Sequence, residues 1–219
     1  MKNEIKSILI FISYFVYDIL IKALLYKLNI NYYNFNINQK VITTAIIETT
    51  YILLISFLYR KEIKKDIKGF KENYKTYFSK YTIIYLLGVF LMCISNLIIF
   101  KITKTNLSGN EELIRTYINK FPIYMVFSSL IYAPIVEELI FRKTIKNIFK
   151  SKYLFIITSG LVFGLLHVSE PTFNEYLFSI PYIFMGISFA YIYYKTDNIF
   201  TTMTFHMCHN LILLIIQLI

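Results

Sequence analysis

Apolar runs at about residues 7–28, 41–59, 81–103, 121–141, 153–168, 176–194 and 198–219 take up most of this 219-residue chain. A helix needs about 20 apolar residues to cross a hydrocarbon core of roughly 30 Å, so the chain has room for about seven crossings joined by short connections. The expectation is an all-α fold, a polytopic transmembrane bundle of about seven to eight helices, in one domain over residues 1–219. No internal repeat or flexible interdomain linker divides it.

Composition agrees. The chain is 57% hydrophobic and only 16% charged, with a mean hydropathy of +0.55, too apolar for a soluble domain of ordinary composition. The lipid bilayer is therefore the first partner expected. A net charge of +10 is the kind that nucleic-acid binding uses, but the Lys and Arg residues gather between apolar runs instead of forming one basic face. They read as topology signals, and no nucleic-acid partner is expected. Cys93 and Cys208 both lie inside apolar runs, where a thiol behaves as a small hydrophobe, so neither a disulfide nor a zinc framework is implied.

The stretch Arg60 to Lys80 carries Arg60, Lys61, Lys64, Lys65, Lys68, Lys71, Lys75 and Lys80 against Glu62, Asp66 and Glu72, which the positive-inside rule assigns to the cytoplasm. Its apolar spacing, Ile63, Ile67, Phe70 and Tyr74, predicts an interfacial helix. Alternation then puts Lys143, Lys146 and Lys150 on the same side and Glu170 and Glu175 on the other. The chain is expected in the cell membrane as a multi-pass protein, N-terminus cytoplasmic and C-terminus outside. Residues 1–6 are basic, but no small-residue cleavage site follows and Asp18 and Lys22 interrupt the first run, so it reads as an uncleaved span.

Charges inside spans cost a few kcal/mol each and need a reason. Within Ala133-Pro134-Ile135-Val136-Glu137-Glu138-Leu139-Ile140-Phe141-Arg142, Glu138 and Arg142 stand four apart on one helical face and favour an ion pair. Glu137, about 100° round the helix, is then free for another partner. The bland alternative is a structural Glu–Arg lock with a second Glu at the interface.

The histidines shift that balance. His167, His206 and His209 all lie in apolar segments of the last third, where neutral imidazole can act as base, donor or ligand. Phe163 and His167 are one turn apart, as are His206 and Asn210; His209 lies off that face and is expected to be structural. If the fourth helix turns near Ser151, Glu137 and His167 lie roughly 21 and 24 Å from the turn, at one depth. His206 lies about 12 Å into the last helix and comes level if the hairpin protrudes about 10 Å.

Taken in order, Glu137-Glu138-x-x-x-Arg142, Phe163-x-x-x-His167 and His206-x-x-x-Asn210 resemble the signatures of the CPBP family of intramembrane peptidases, also called Abi, which includes CAAX prenyl-protein endopeptidases and proteins of bacteriocin processing and immunity. The resemblance covers roughly residues 121–215. It implies an endopeptidase that cuts a membrane-associated, lipidated or prenylated peptide with activated water and no acyl-enzyme. Glu137 would act as base with help from His167, His206 and Asn210 would hold the oxyanion, and Glu138, Arg142 and Phe163 would support them. The family has also been described as metal-dependent, and Glu137, His167 and His206 could hold zinc with one open position. The metal-free mechanism is preferred and no cofactor is expected, because Asn210 is a poor zinc ligand.

Other protease classes fit poorly. No His-Glu-x-x-His is present, Tyr17-Asp18 has no Gly-x-Gly-Asp partner, and Ser159 lies eight residues from His167 on one expected helix, out of bonding reach. The rival readings are a non-catalytic immunity or scaffold protein of the same family, and a proton-coupled transporter, which would show repeat symmetry between its halves.

Overall fold

In the computed structural model, residues 2–105 and 107–218 are described, and they form helices and turns with no strand among them. The helices are α1 (Lys2–Lys27), α2 (Ile37–Leu58), α3 (Arg60–Thr103), α4 (Gly109–Lys120), α5 (Pro122–Ile148), α6 (Lys152–Leu165), α7 (Phe173–Thr196) and α8 (Ile199–Leu218). Six of them, α1, α2, α3, α5, α7 and α8, are long and apolar enough to cross a membrane. The protein is a multi-pass helical bundle. Large side chains such as Ile19, Leu53, Ile83 and Leu97 point away from it, as a lipid-facing surface requires.

Two segments differ from the sequence expectation. The run at 153–168 is not a full span: α6 has 14 residues, about 21 Å, and ends at Leu165. The lysine-rich stretch after Arg60 is not a separate interfacial helix. It continues into the third span as one helix of 44 residues, about 66 Å, because no proline interrupts it and Lys and Glu are good helix formers.

The bundle has two distinct ends. At one, Lys6 donates to the carbonyl of Leu58 at 2.8 Å, Lys146 pairs with Asp197 at 2.8 Å, and buried Asp66 of α3 accepts from the Ile199 amide at 3.2 Å, satisfying a free N–H at the start of α8. At the other, α4 lies across the top. Its first amide, Gly109, donates to Glu175 at 2.8 Å, and Gln217 donates to Glu111 at 2.6 Å.

The core gathers around α5, where Val136, Leu139, Ile140 and Phe141 are buried against Phe163, Ala190, Tyr193 and Ile199. Small residues bring α6 and α7 together. A β-carbon at Gly164 would lie 2.9 Å from both the amide nitrogen of Ile183 and the carbonyl of Ser179, so only glycine allows this approach. That contact fixes the end of α6, and with it the turn that carries His167.

Candidate active site

Helix α5 is not regular. Ser128–Tyr132 and Leu139–Thr144 are π-helical, and between them Ala133–Glu138 presents the two carboxylates. Ala133 donates its amide to Ser128, five residues back. The next bond in that register would run from residue 134 to Ser129, but Pro134 has no N–H to give. The Ser129 carbonyl instead accepts Asn210 Nδ2 at 2.8 Å, which ties α8 to α5. Such π turns recur at functional sites because they release backbone groups.

Glu138 and Arg142 are completely buried. Arg142 Nε donates to Glu138 Oε2 at 3.1 Å, as the spacing predicts, and Nη1 donates to Ser159 Oγ at 2.6 Å. Ser159 in turn donates to the Phe141 carbonyl at 2.5 Å, and the guanidinium lies over the Phe163 ring at 4.8 Å. Glu138 has a second partner that local spacing does not reveal: its Oε1 accepts His206 Nδ1 at 3.0 Å. Glu138 thus joins Arg142 to His206.

Glu137 points elsewhere, with Oε2 4.0 Å from His206 Nε2. An imidazole that donates Nδ1–H to Glu138 has a hydrogen on Nε2 only as the cation.

His167 lies in the turn beyond α6, not on a helix as its spacing from Phe163 suggests. Its ring nevertheless returns to Phe163, with Nδ1 2.9 Å from that carbonyl. A carbonyl only accepts, so Nδ1 carries the hydrogen and the neutral ring keeps Nε2 as an acceptor. The ring stacks on Tyr182 with centroids 3.9 Å apart and planes at 14°.

Glu137, His167, His206 and Asn210 line one cavity of about 280 Å³, with Phe163 and Tyr182 in its wall. His209 also reaches it, but bonds the Tyr85 hydroxyl at 3.2 Å and sets its edge toward Phe189. Among the described residues no group of three or more His, Cys, Asp or Glu side chains is arranged to hold a metal ion. The Nδ1 atoms of His167 and His206 are already engaged. Each ring therefore has only Nε2 left to face the cavity.

Three residues at the site escaped the sequence reading. Ser159 was weighed only as a nucleophile, whereas it anchors Arg142. Tyr182 sits in no motif. Glu48 of α2 carried a signal, a lone carboxylate in an apolar run; its Oε1 accepts from Tyr124 at 3.1 Å and Ser128 at 3.4 Å, bracing the first π turn.

Known proteins match this same region. The model of the Rce1-like family, type II CAAX prenyl endopeptidases, matches residues 119–212. The chain is 31% identical over 114 residues to a candidate membrane peptidase, YdiL, of Bacillus subtilis (strain 168), covering 51% of this chain and 44% of that protein. It is also 31% identical over 189 residues to the membrane-embedded CAAX protease MroQ of Staphylococcus aureus (strain USA300), covering 79% of this chain and 71% of that one. The chain thus spans less than half the length of the Bacillus protein and about seven tenths of the Staphylococcus one. No solved structure matches it.

Proposed function

This chain belongs to the CPBP family of membrane peptidases, which includes the CAAX proteases, and on that premise we propose that it is an intramembrane endopeptidase cutting a membrane-associated or lipidated peptide with water activated by Glu137. The observation that carries this reading is the division of labour between adjacent carboxylates. Glu138 is buried between Arg142 and His206, while Glu137 faces the cavity.

In this mechanism a water in the cavity donates one hydrogen bond to His167 Nε2 and gives its other proton to Glu137. Its oxygen attacks the scissile carbonyl carbon, and the C=O electron pair moves onto oxygen. That oxyanion accepts hydrogen bonds from His206 Nε2–H and from the second N–H of Asn210, donors held in place before the charge develops. Collapse of the tetrahedral intermediate breaks the C–N bond, and the leaving nitrogen takes the proton from Glu137. The products are a carboxyl and an amine, with no acyl-enzyme and no metal. Glu138, Arg142, Ser159 and Phe163 hold His206 and α5 in register.

The test is cleavage of a library of lipidated and membrane-anchored peptides by the purified chain, with and without chelator, beside Glu137→Gln, His167→Ala and His206→Ala. Cleavage kept in chelator and lost in all three variants supports the water mechanism. Loss with chelator would sink the metal-free reading. A folded chain that cuts nothing would favour the immunity or scaffold role instead.

A further inference from the structure

The cavity extends toward one end of the bundle. From the carboxylates it climbs one face of α8 through His206, Asn210, Leu213, Leu214 and Gln217, and its opposite wall is α4, with Glu111, Ile114 and Ile118. None of its lining residues comes from the start of α3, the turn around residues 149–151 or the turn at 197–198, which make up the other end. That end, taken as the mouth, lies where Gln217 meets Glu111, beside the contact of Gly109 with Glu175.

The two ends differ in their basic charge. The end away from the cavity gathers Lys6, Lys61, Lys64, Lys65, Lys143, Lys146, Lys150 and Lys152. The end it reaches carries Lys27, Lys40, Lys101, Lys104, Arg115 and Lys120, offset by Glu111, Glu112, Glu170 and Glu175. Short loops rich in Lys and Arg stay in the cytoplasm. The lysine-rich end is therefore the cytoplasmic one, and the mouth faces the opposite side.

We infer that this site is loaded from the extracytoplasmic face and takes a peptide anchored in the outer leaflet, not a cytosolic prenylated C-terminus. The depth sets the cut. Along α8, Gln217 stands about 16 Å above His206 at ~1.5 Å per residue, a distance that about five extended residues cover. The scissile bond thus lies about five residues below the outer membrane surface, and the residues between meet the apolar wall of Ile114, Ile118 and Leu214. The inference rests on the peptidase reading above and adds its side and its substrate class.

Two measurements on the full chain test it. In cells producing the chain with Cys93→Ala and Cys208→Ala, a single cysteine is placed on exposed Glu112 (E112C) or exposed Lys150 (K150C) and treated with a membrane-impermeant maleimide. Labelling of E112C in intact cells, and of K150C only after permeabilisation, is expected; the reverse overturns the assignment whatever the activity. Second, an acylated, fluorophore-quenched peptide with an apolar segment is added to right-side-out and to inverted membrane vesicles, and the cut is mapped by mass. Cleavage in right-side-out vesicles, about five residues from the polar boundary, supports the inference. Cleavage only in inverted vesicles overturns it and leaves the peptidase reading standing, whereas no cleavage from either face, with the labelling as expected, overturns the peptidase reading and this inference with it.

Discussion

Asn210 donates its side-chain amide to the carbonyl of Ser129 at 2.8 Å, and that carbonyl is free because Pro134, five residues later, has no hydrogen to offer it. One missing N–H in α5 therefore leaves the Ser129 carbonyl to position a polar group on α8, eighty-one residues from that carbonyl in sequence. Removing a single oxyanion donor lowers kcat by about 10²–10³, so Asn210→Ala should lose about a hundredfold in kcat with KM little changed. Pro134→Ala restores a competing donor for Ser129; kcat should fall about tenfold while thermal stability is kept or raised, since proline costs about 3 kcal/mol inside a helix. Equal loss of stability and activity in Pro134→Ala would refute the link.

Breaking the buried ion pair should act on folding. Arg142→Met leaves Glu138 with its buried charge half compensated, a change that costs about 3–5 kcal/mol. Thermal unfolding in detergent should show a large fall in Tm, and adding Glu138→Gln should recover part of it. Strictly additive losses in the double variant would contradict coupling between the two side chains.

Glu137→Gln should separate chemistry from stability. The amide has nearly the same shape and the residue bonds neither Arg142 nor Ser159, so Tm should stay within a few degrees of the parent. Peptide cleavage should drop by about 10²–10⁴, the range that a general base supplies. Retained cleavage would remove Glu137 from the mechanism.

Gly164→Ala should disturb the site from a distance. Its new methyl group meets the backbone of Ser179 and Ile183 at 2.9 Å, so α6 must move away from α7 and carry the His167 turn with it. Overpacking of this kind costs about 1–3 kcal/mol. A lower Tm together with a lower kcat is expected; an unchanged Tm would show that the contact gives way freely.

Tyr182 should matter through its ring. Tyr182→Phe keeps the stack on His167 and loses the hydroxyl's bonds with Asn110, at 3.4 Å, and Ser108, so kcat should stay within about twofold of the parent. Tyr182→Ala frees the imidazole to rotate and should lower kcat about tenfold or more, because a misplaced catalytic group loses the benefit of its orientation. Equal effects of the two would mean that the hydroxyl is the active part.

Much of the architecture was legible in the chain. The spanning runs were found because apolar length is a local property, and the Glu138–Arg142 pair because a four-residue spacing fixes neighbours on any helix, even one with π turns. The limits were local too. Hydropathy alone could not place the end of α6 at Leu165, where close packing on α7 gives way to the His167 turn. It also could not show that Arg60–Thr103 is one unbroken helix, since charge marks a membrane boundary without ending hydrogen bonding along the backbone.

The sequence by itself determined that the chain is a membrane bundle and that Glu138 and Arg142 pair, because transfer of side chains into lipid and spacing along a helix depend only on the segment. Only the tertiary structure decided that Glu138 also binds His206, that Glu137 faces the cavity, that Tyr182 stacks on His167 and that the cavity runs up beside α4. Those contacts depend on how helices tilt and approach one another, which here is set by glycines between α6 and α7 and by one proline in α5.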